Sequence, residues 1–330
     1  MQKAAQNFSI QKKIAALSIL LFLIKFTAWF LTHSVAILTD ALESIVNVVA
    51  GLLGIYSLYV SAKPKDEDHP YGHGKIEFIS AAVEGTLIFV AGILIIYSAT
   101  KNFFKPNEVD KLDYGILLIA ITAIVNYAAG YFCELIGRKN NSLPLIASGV
   151  HLKTDTYTTI GIIAGLILLY FTKIMWIDSA VAILFACLIS YTGYKIIRSS
   201  IAGIMDEADT NLLTQMITTL NESRGQNWVD IHNMRIIKYG ALLHIDAHLT
   251  VPWYFNVNEA HKEVDDLSNL LRKNYVDSLE IFVHSDACLD FSCAICIKMD
   301  CESRLHENTK NIHWTFKNIS SNEKHTINTN

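Results

Sequence analysis

The stretch Ser148-Gly149-Val150-His151-Leu152-Lys153-Thr154-Asp155 heads an apolar run that reaches Phe171. His151 and Asp155 stand four residues apart, so a helix brings them to one face, where both meet a single ion. Ionisable groups inside a membrane span are costly and mark an ion path or a substrate site. Alone, the pair would serve equally well as an interfacial cap. A partner decides the reading: Glu43 and Asn47 repeat the four-residue spacing inside a second apolar run, from Val35 to Val60. Two membrane helices, each carrying such a pair, close one four-coordinate site between them.

Working outward, six apolar runs are long enough to cross a bilayer as helices, at about 1.5 Å per residue. They fall at 14–31, 35–60, 78–98, 114–136, 144–171 and 174–197. The chain's 52% hydrophobic and 18% charged residues, with mean hydropathy +0.31, suit a membrane protein with a soluble part. A net charge of −4 gives no reason to expect nucleic acid. Ten Lys and Arg flank the spans on the N-terminal side of the membrane and four on the other, which predicts that both termini are cytoplasmic. No small-residue cleavage site follows the first run, so it is read as a span. Along the second run Asp40, Glu43, Ser44, Asn47 and Gly51 form a polar stripe. Asp40 is expected to be interfacial, and Gly51 and Gly54 to allow close helix approach. Tyr170 and Trp176 are interface anchors by position. Cys133 and Cys187 are expected in the apolar core.

Between the second and third spans lies a turn-rich loop, Lys63-Pro64-Lys65-Asp66-Glu67-Asp68-His69-Pro70-Tyr71-Gly72-His73-Gly74-Lys75-Ile76-Glu77. Its Asp66, His69 and His73 supply a carboxylate and two imidazoles, a zinc-type donor set. After Ile204-Met205-Asp206-Glu207-Ala208-Asp209 the hydropathy drops. The pattern predicts helix 210–222, strand 229–237, strand 241–250, helix 257–274 and strand 278–284. Asn256 and Glu259 form a capping box for the second helix. In the strand around Leu242–Leu249, alternation sends His244, Asp246 and His248 to one face and Leu243, Ile245, Ala247 and Leu249 to the core. The domains are expected at 1–204, 205–287 and 288–330, the last a Cys-rich segment with a polar tail disordered from about Ser320. Cys288, Cys293, Cys296 and Cys301 are clustered as metal ligands are in a reducing compartment, and thiolates suit zinc or an iron–sulfur cluster.

The loop string His-Pro-Tyr-Gly-His-Gly-Lys-Ile-Glu (69–77), six spans, His151-x3-Asp155 and a cytoplasmic tail together resemble the cation diffusion facilitator family over about residues 10–286. The resemblance implies a dimeric exporter that exchanges divalent metal for protons at the cell (inner or plasma) membrane. Its fold would be six transmembrane helices followed by a cytoplasmic, ferredoxin- or metallochaperone-like α/β domain. It places the transport site on Glu43, Asn47, His151 and Asp155, a loop site on Asp66, His69 and His73, and a tail site on His232, His248, His284 and Asp286, with His244 as an addition. Structural or regulatory zinc in the cytoplasmic domain is implied as well. Zinc exporters of the family usually carry His or Asp, then Asp, where this chain has Glu43 and Asn47. That departure puts the choice among zinc, iron, manganese, cobalt and cadmium in question.

Two other classes compete. A membrane-anchored sensor or scaffold would have no need of Glu43 in a span. A membrane zinc protease would want His-Glu-x-x-His, and no such string occurs. Metal binding at the central site requires ionised acids and a neutral His151, and histidine is the side chain that titrates nearest neutrality, which makes it the natural coupling residue.

Overall fold

The computed structural model describes residues 2–104, 111–140, 143–239, 242–275 and 279–328; the side chains at 2–8, 11, 47, 50, 58, 137, 140 and 143–147 lie outside that description. It divides into two compact units. One holds residues 1–60 and 77–201; the other holds 61–76 and 202–330.

The first unit is six helices: α1 (Gln2–Thr32), α2 (Val35–Ser61), α3 (Ile76–Phe104), α4 (Leu112–Asn140), α5 (Leu143–Thr172) and α6 (Trp176–Ile204). All six are long and apolar enough to cross a membrane. Their outward surfaces carry large apolar side chains such as Phe30, Leu94, Ile124, Phe171 and Leu184. Polar groups are turned inward: Asp40, Asn126, Asp155 and Asp178 are all buried. This is the pattern that lipid as solvent imposes. Cys133 is buried as expected, but Cys187 is exposed on the outer surface of α6. The helix ends are sharp. His33 (φ 53°) and Lys173 (φ 57°) adopt the left-handed conformation that terminates α1 and α5, each donating its N–H back to a carbonyl of the last turn at 2.8 Å.

Close helix approach occurs at glycines, though not, among the described residues, at Gly51 and Gly54, around which a Cβ would meet no described atom within 4 Å. It occurs between α4 and α5, where a Cβ on Gly130 would lie 2.8 Å from the Gly149 carbonyl and one on Gly149 2.7 Å from that of Gly130. The same reciprocal contact joins Gly85 of α3 to Gly193 of α6. Two small residues facing each other, rather than one stripe on α2, are what let backbones touch. The α2 N-terminus is capped from α6: Asp178 accepts from Ser34 Oγ (2.5 Å), Val35 N (2.7 Å) and Ala36 N (3.3 Å). A carboxylate there satisfies orphan amides and complements the helix dipole.

The second unit runs α7 (Thr210–Glu222), β1 (Asp230–Tyr239), β2 (Leu242–Val251), α8 (Val257–Asn274), β3 (Leu279–Ala287), a 3-10 turn (Asp290–Ile295) and a short helix α9 (Phe316–Ile319). Strand order is β1-β2-β3, with β1 antiparallel to β2 and β3 parallel to it. The parallel pair needs a crossover, which α8 provides. Asn256 and Glu259 form the reciprocal capping box at its start. The inward faces of the sheet and of α7 and α8 make the core, with Leu243, Ile245, Ala247 and Leu249 buried as the alternation predicts.

Residues 288–328 complete this core, contrary to the expected disorder from Ser320. Ile295, Ile312, Trp314 and Ile319 are buried in it. Arg224 stacks over the Trp314 ring at 4.3 Å, Ser321 O accepts from Asn233 N at 2.7 Å, and His325 is buried against Asp230. Composition suggested a solvated tail; a few well-spaced apolar and aromatic anchors fix it instead.

Candidate functional site

The close α4–α5 contact at Gly130 and Gly149 sets the rotation of α5. Asp155 consequently points inward and is buried, while His151, one turn earlier, keeps a partly exposed ring with Nδ1 3.8 Å from Asp155 Oδ1. Glu43 on α2 is half-buried, and Asp155, Asp40 and Lys25 are the charges acting on it. Glu84 of α3 lies in range of both His151 and Asp155. A small cavity of about 10 Å³ beside Asp155 is lined by Ser18, Leu21, Ser44, Asn126 and Leu152. The side chain of Asn47 lies outside the described residues. Glu43, His151 and Asp155 are neighbours, but their ligand atoms do not gather as a trio within 4.8 Å.

Asp40 is not interfacial. It is fully buried, with Oδ1 2.9 Å from Lys25 Nζ of α1. The Thr159 hydroxyl of α5 stands 2.7 Å from the same oxygen and 2.9 Å from the Asp155 carbonyl, and its single proton serves one of them at a time. Asp40 Oδ2 has no hydrogen-bond partner among the described residues. Lys25 feels Asp40, Asp155 and Glu43, so one ammonium is set among three carboxylates. Sequence reasoning missed Lys25, Glu84 and Asn126. The signal for Lys25 was present: a lone charge in the middle of the first apolar run.

In the second unit, two groups among the described residues do gather ligand atoms within 4.8 Å: Asp66 with His69 and His73, and His232 with His248 and Asp286. In the first group Asp66 Oδ1 is 3.1 Å from His69 Nδ1, Asp66 Oδ2 is 3.3 Å from His73 Nε2, and the two rings are 4.4 Å apart. Desolvation is the largest single influence on Asp66 and opposes its ionisation, but the His69 N–H and both imidazoles together hold its carboxyl below the usual range. His73 Nδ1 is buried with no hydrogen-bond partner among the described residues. The loop is anchored on the sheet: Lys65 pairs with Glu280, Tyr71 stacks on Tyr239 at 5.7 Å, and Lys75 reaches Asp206 at 2.9 Å.

The second group is a product of strand register. His232, His248 and His284 are paired across β1, β2 and β3. Strands about 4.8 Å apart stack such rings, and the centroids are 5.1 and 4.8 Å apart. Asp286, two residues beyond His284 and therefore on the same face, puts Oδ2 3.4 Å from His232 Nε2 and 3.1 Å from His248 Nδ1. His284 is more open, with Nε2 3.6 Å from Asp286 Oδ1, and stays outside the tight trio. His244 is apart from it, between Asp246 and Glu280 and against Tyr71 and Phe282.

Behind His232 stands Asp230, 3.5 Å from its Nδ1 and also receiving the backbone N–H and ring of His325. Burial would push the Asp230 carboxyl up; the His232 and His325 hydrogen bonds overcome this and hold it well below the carboxylate range. Two imidazoles, a carboxylate and a second carboxylate orienting one imidazole are the donor set that zinc takes. The four cysteines lie together around a separate cavity.

Comparison with known proteins matches these features. Residues 13–205 fit the family model of the cation efflux transmembrane domain, and residues 210–288 fit that of the cation efflux protein, cytoplasmic domain. The chain belongs to the cation efflux family, the cation diffusion facilitators, and is a multi-pass membrane protein of a metal-transporting class. It is 31% identical over 238 residues to an uncharacterized transporter of Synechocystis, covering 72% of this chain and 77% of that one. It is 24% identical over 272 residues to the cation-efflux pump FieF of Shewanella oneidensis, covering 82% and 90%. The manganese efflux system protein MneS of Bacillus subtilis is 24% identical over 252 residues, covering 76% and 86%.

Proposed function

We propose that this protein exports divalent transition-metal cations from the cytoplasm in exchange for protons, as a homodimer in the cell membrane with both termini cytoplasmic. Its domains are the transmembrane domain 1–204, the metal-binding domain 205–287 and the segment 288–330. Glu43, Asn47, His151 and Asp155 bind the transported ion. Asp66, His69 and His73 form a loop site, and His232, His248, His284 and Asp286 hold zinc that stabilises the cytoplasmic domain. The observation carrying this reading is the buried Asp155 one turn below a partly open His151, with Glu43 in electrostatic range. Protons and metal compete for such a set, because ligands bind metal only when deprotonated.

Three oxygen donors and one nitrogen make the site harder than one with two histidines, so iron and manganese gain relative to zinc. Zinc still binds more tightly than either at most such sites, and both zinc and iron are carried. Similarity to a protein named for manganese efflux agrees with a broadened range. The test is flux of Zn, Fe, Mn, Co and Cd into proteoliposomes under a fixed pH gradient. His151→Ala and Asp155→Ala are expected to abolish flux in a folded protein. Near wild-type flux in either would reject the shared site, and no flux of any metal by the wild type would favour a sensor or scaffold.

A further inference from the structure

From residue 289 the segment after β3 lies beyond the residues matched by either family model, yet its backbone is held firmly. Cys288 N donates to Val251 O (2.9 Å), continuing the β2–β3 alignment, and the 3-10 turn Asp290–Ile295 then reverses the chain. The Arg304 guanidinium donates to the carbonyls of Cys293 (3.0 Å), Cys296 (3.1 Å), Lys298 (2.7 Å) and His306 (3.3 Å). Asn308 adds a bond to the Cys296 carbonyl at 2.9 Å. Through these contacts one side chain ties together the loops that carry three of the four cysteines.

The four cysteines line a single cavity of about 30 Å³, with Trp253 and Arg304 also in its wall. Two donors face sulfur: Trp253 N–H lies 3.4 Å from Cys288 Sγ, and Tyr254 O–H lies 3.6 Å from Cys301 Sγ. Such donors strengthen when the sulfur is ionised. A dication in this cavity lets neighbouring thiols ionise together, and Arg304 and Lys298, the latter paired with Asp300 at 3.1 Å, also line it.

We propose that Cys288, Cys293, Cys296 and Cys301 bind one thiophilic divalent ion of the zinc type, at a structural site distinct from the transport path, which locks residues 288–328 onto the cytoplasmic domain. Each thiol that binds gives its proton to solvent. Zinc–sulfur bonds of about 2.3 Å place tetrahedral sulfurs about 3.8 Å apart. No three of these sulfurs are gathered within 4.8 Å, so binding draws them inward by side-chain rotation on a backbone already clamped by Arg304. The cavity of about 30 Å³ has room for an ion; a cluster with inorganic sulfide is the alternative. The Cys-x4-Cys-x2-Cys spacing does occur in two-iron ferredoxins, and the test separates the two.

Full-length protein in detergent, reduced and stripped with a chelator, is titrated with Co²⁺. The expected result is thiolate-to-cobalt charge-transfer absorption in the near ultraviolet, lost in Cys293→Ser/Cys296→Ser and kept in His232→Ala/His248→Ala. Absence of that absorption in the wild type would overturn the proposal, and so would iron with acid-labile sulfide in the protein as purified. A second measurement needs no variant. Zn²⁺ should slow maleimide labelling of these four cysteines about tenfold or more and leave Cys187 unchanged; equal rates with and without Zn²⁺ would refute the site.

Discussion

Replacing Lys25 by methionine is expected to destabilise the transmembrane unit severely, and replacing Asp40 as well is expected to restore much of the loss. Both side chains are almost wholly buried, with exposures of 2% and 0%, and the charged atoms are 2.9 Å apart. At an effective dielectric of about 20, two unit charges at that distance attract by roughly 6 kcal/mol, against which the desolvation of both ions is set. Removing one partner strands the other. Breaking buried pairs costs about 3–5 kcal/mol, whereas replacing both by apolar groups is near neutral. Asp40 Oδ2 lacks a partner among the described residues, and Thr159 shares its proton with the Asp155 carbonyl. Lys25 therefore carries most of the compensation, which places Lys25→Met near the upper end of that range. The assay is a double-mutant cycle of Lys25→Met and Asp40→Leu, read by reversible unfolding in mixed detergent micelles. Additive losses, with the double variant as unstable as the sum of the singles, would refute the argument.

Three further outcomes are expected. Asn47→Asp adds a negative charge to the proposed donor set and should raise the ratio of zinc to manganese flux; an unchanged ratio removes Asn47 from metal choice. Zinc at a hundred times its dissociation constant should stabilise the cytoplasmic domain by about 2.7 kcal/mol per site, seen as a raised melting temperature that His232→Ala and Asp286→Ala reduce; a wild-type melt indifferent to zinc would count against the histidine row. Asp209 caps α7 through Leu212 N at 2.9 Å, so Asp209→Ala should cost about 1 kcal/mol. The Leu212 N–H and then Lys238 hold the Asp209 carboxyl below its usual range. Its contribution is therefore complete above about pH 3.9 and disappears as pH falls through the lower folded value, so the gap between wild type and variant in denaturant melts should close in acid.

The helices and strands were legible because each carries a strong period or a strong boundary. The six apolar runs, the Asn256–Glu259 box and the alternation around His244–Leu249 all rest on local chemistry that the fold keeps. The histidine row across β1, β2 and β3 was only half legible. Alternation gives the face, but register decides that His232, His248 and His284 align, and register depends on the irregularity near Asn233 and on the α8 crossover. What escaped was long-range. Asp178 capping α2 spans 143 residues, and no local pattern encodes it. Asp40 was misread because its partner is on another helix. The ordered end of the chain escaped because a polar composition hides the few anchors, Trp314 above all, that hold it.

Lys25 is a cation that never leaves, and this matters to membrane voltage. With Asp40 matched to it, Glu43 and Asp155 are the acids of the proposed donor set left for cargo, and Glu84 stands nearby outside that set. Under the proposed mechanism a divalent ion balances Glu43 and Asp155, and so do two protons. Each form then reorients without dragging net charge through the field, which otherwise weighs about 2.3 kcal/mol per elementary charge for every 100 mV. For the proposed exchange of one dication against two protons, a fixed ammonium keeps the loaded carrier electrically quiet in either direction, and the proton concentration difference would drive it far more than the potential.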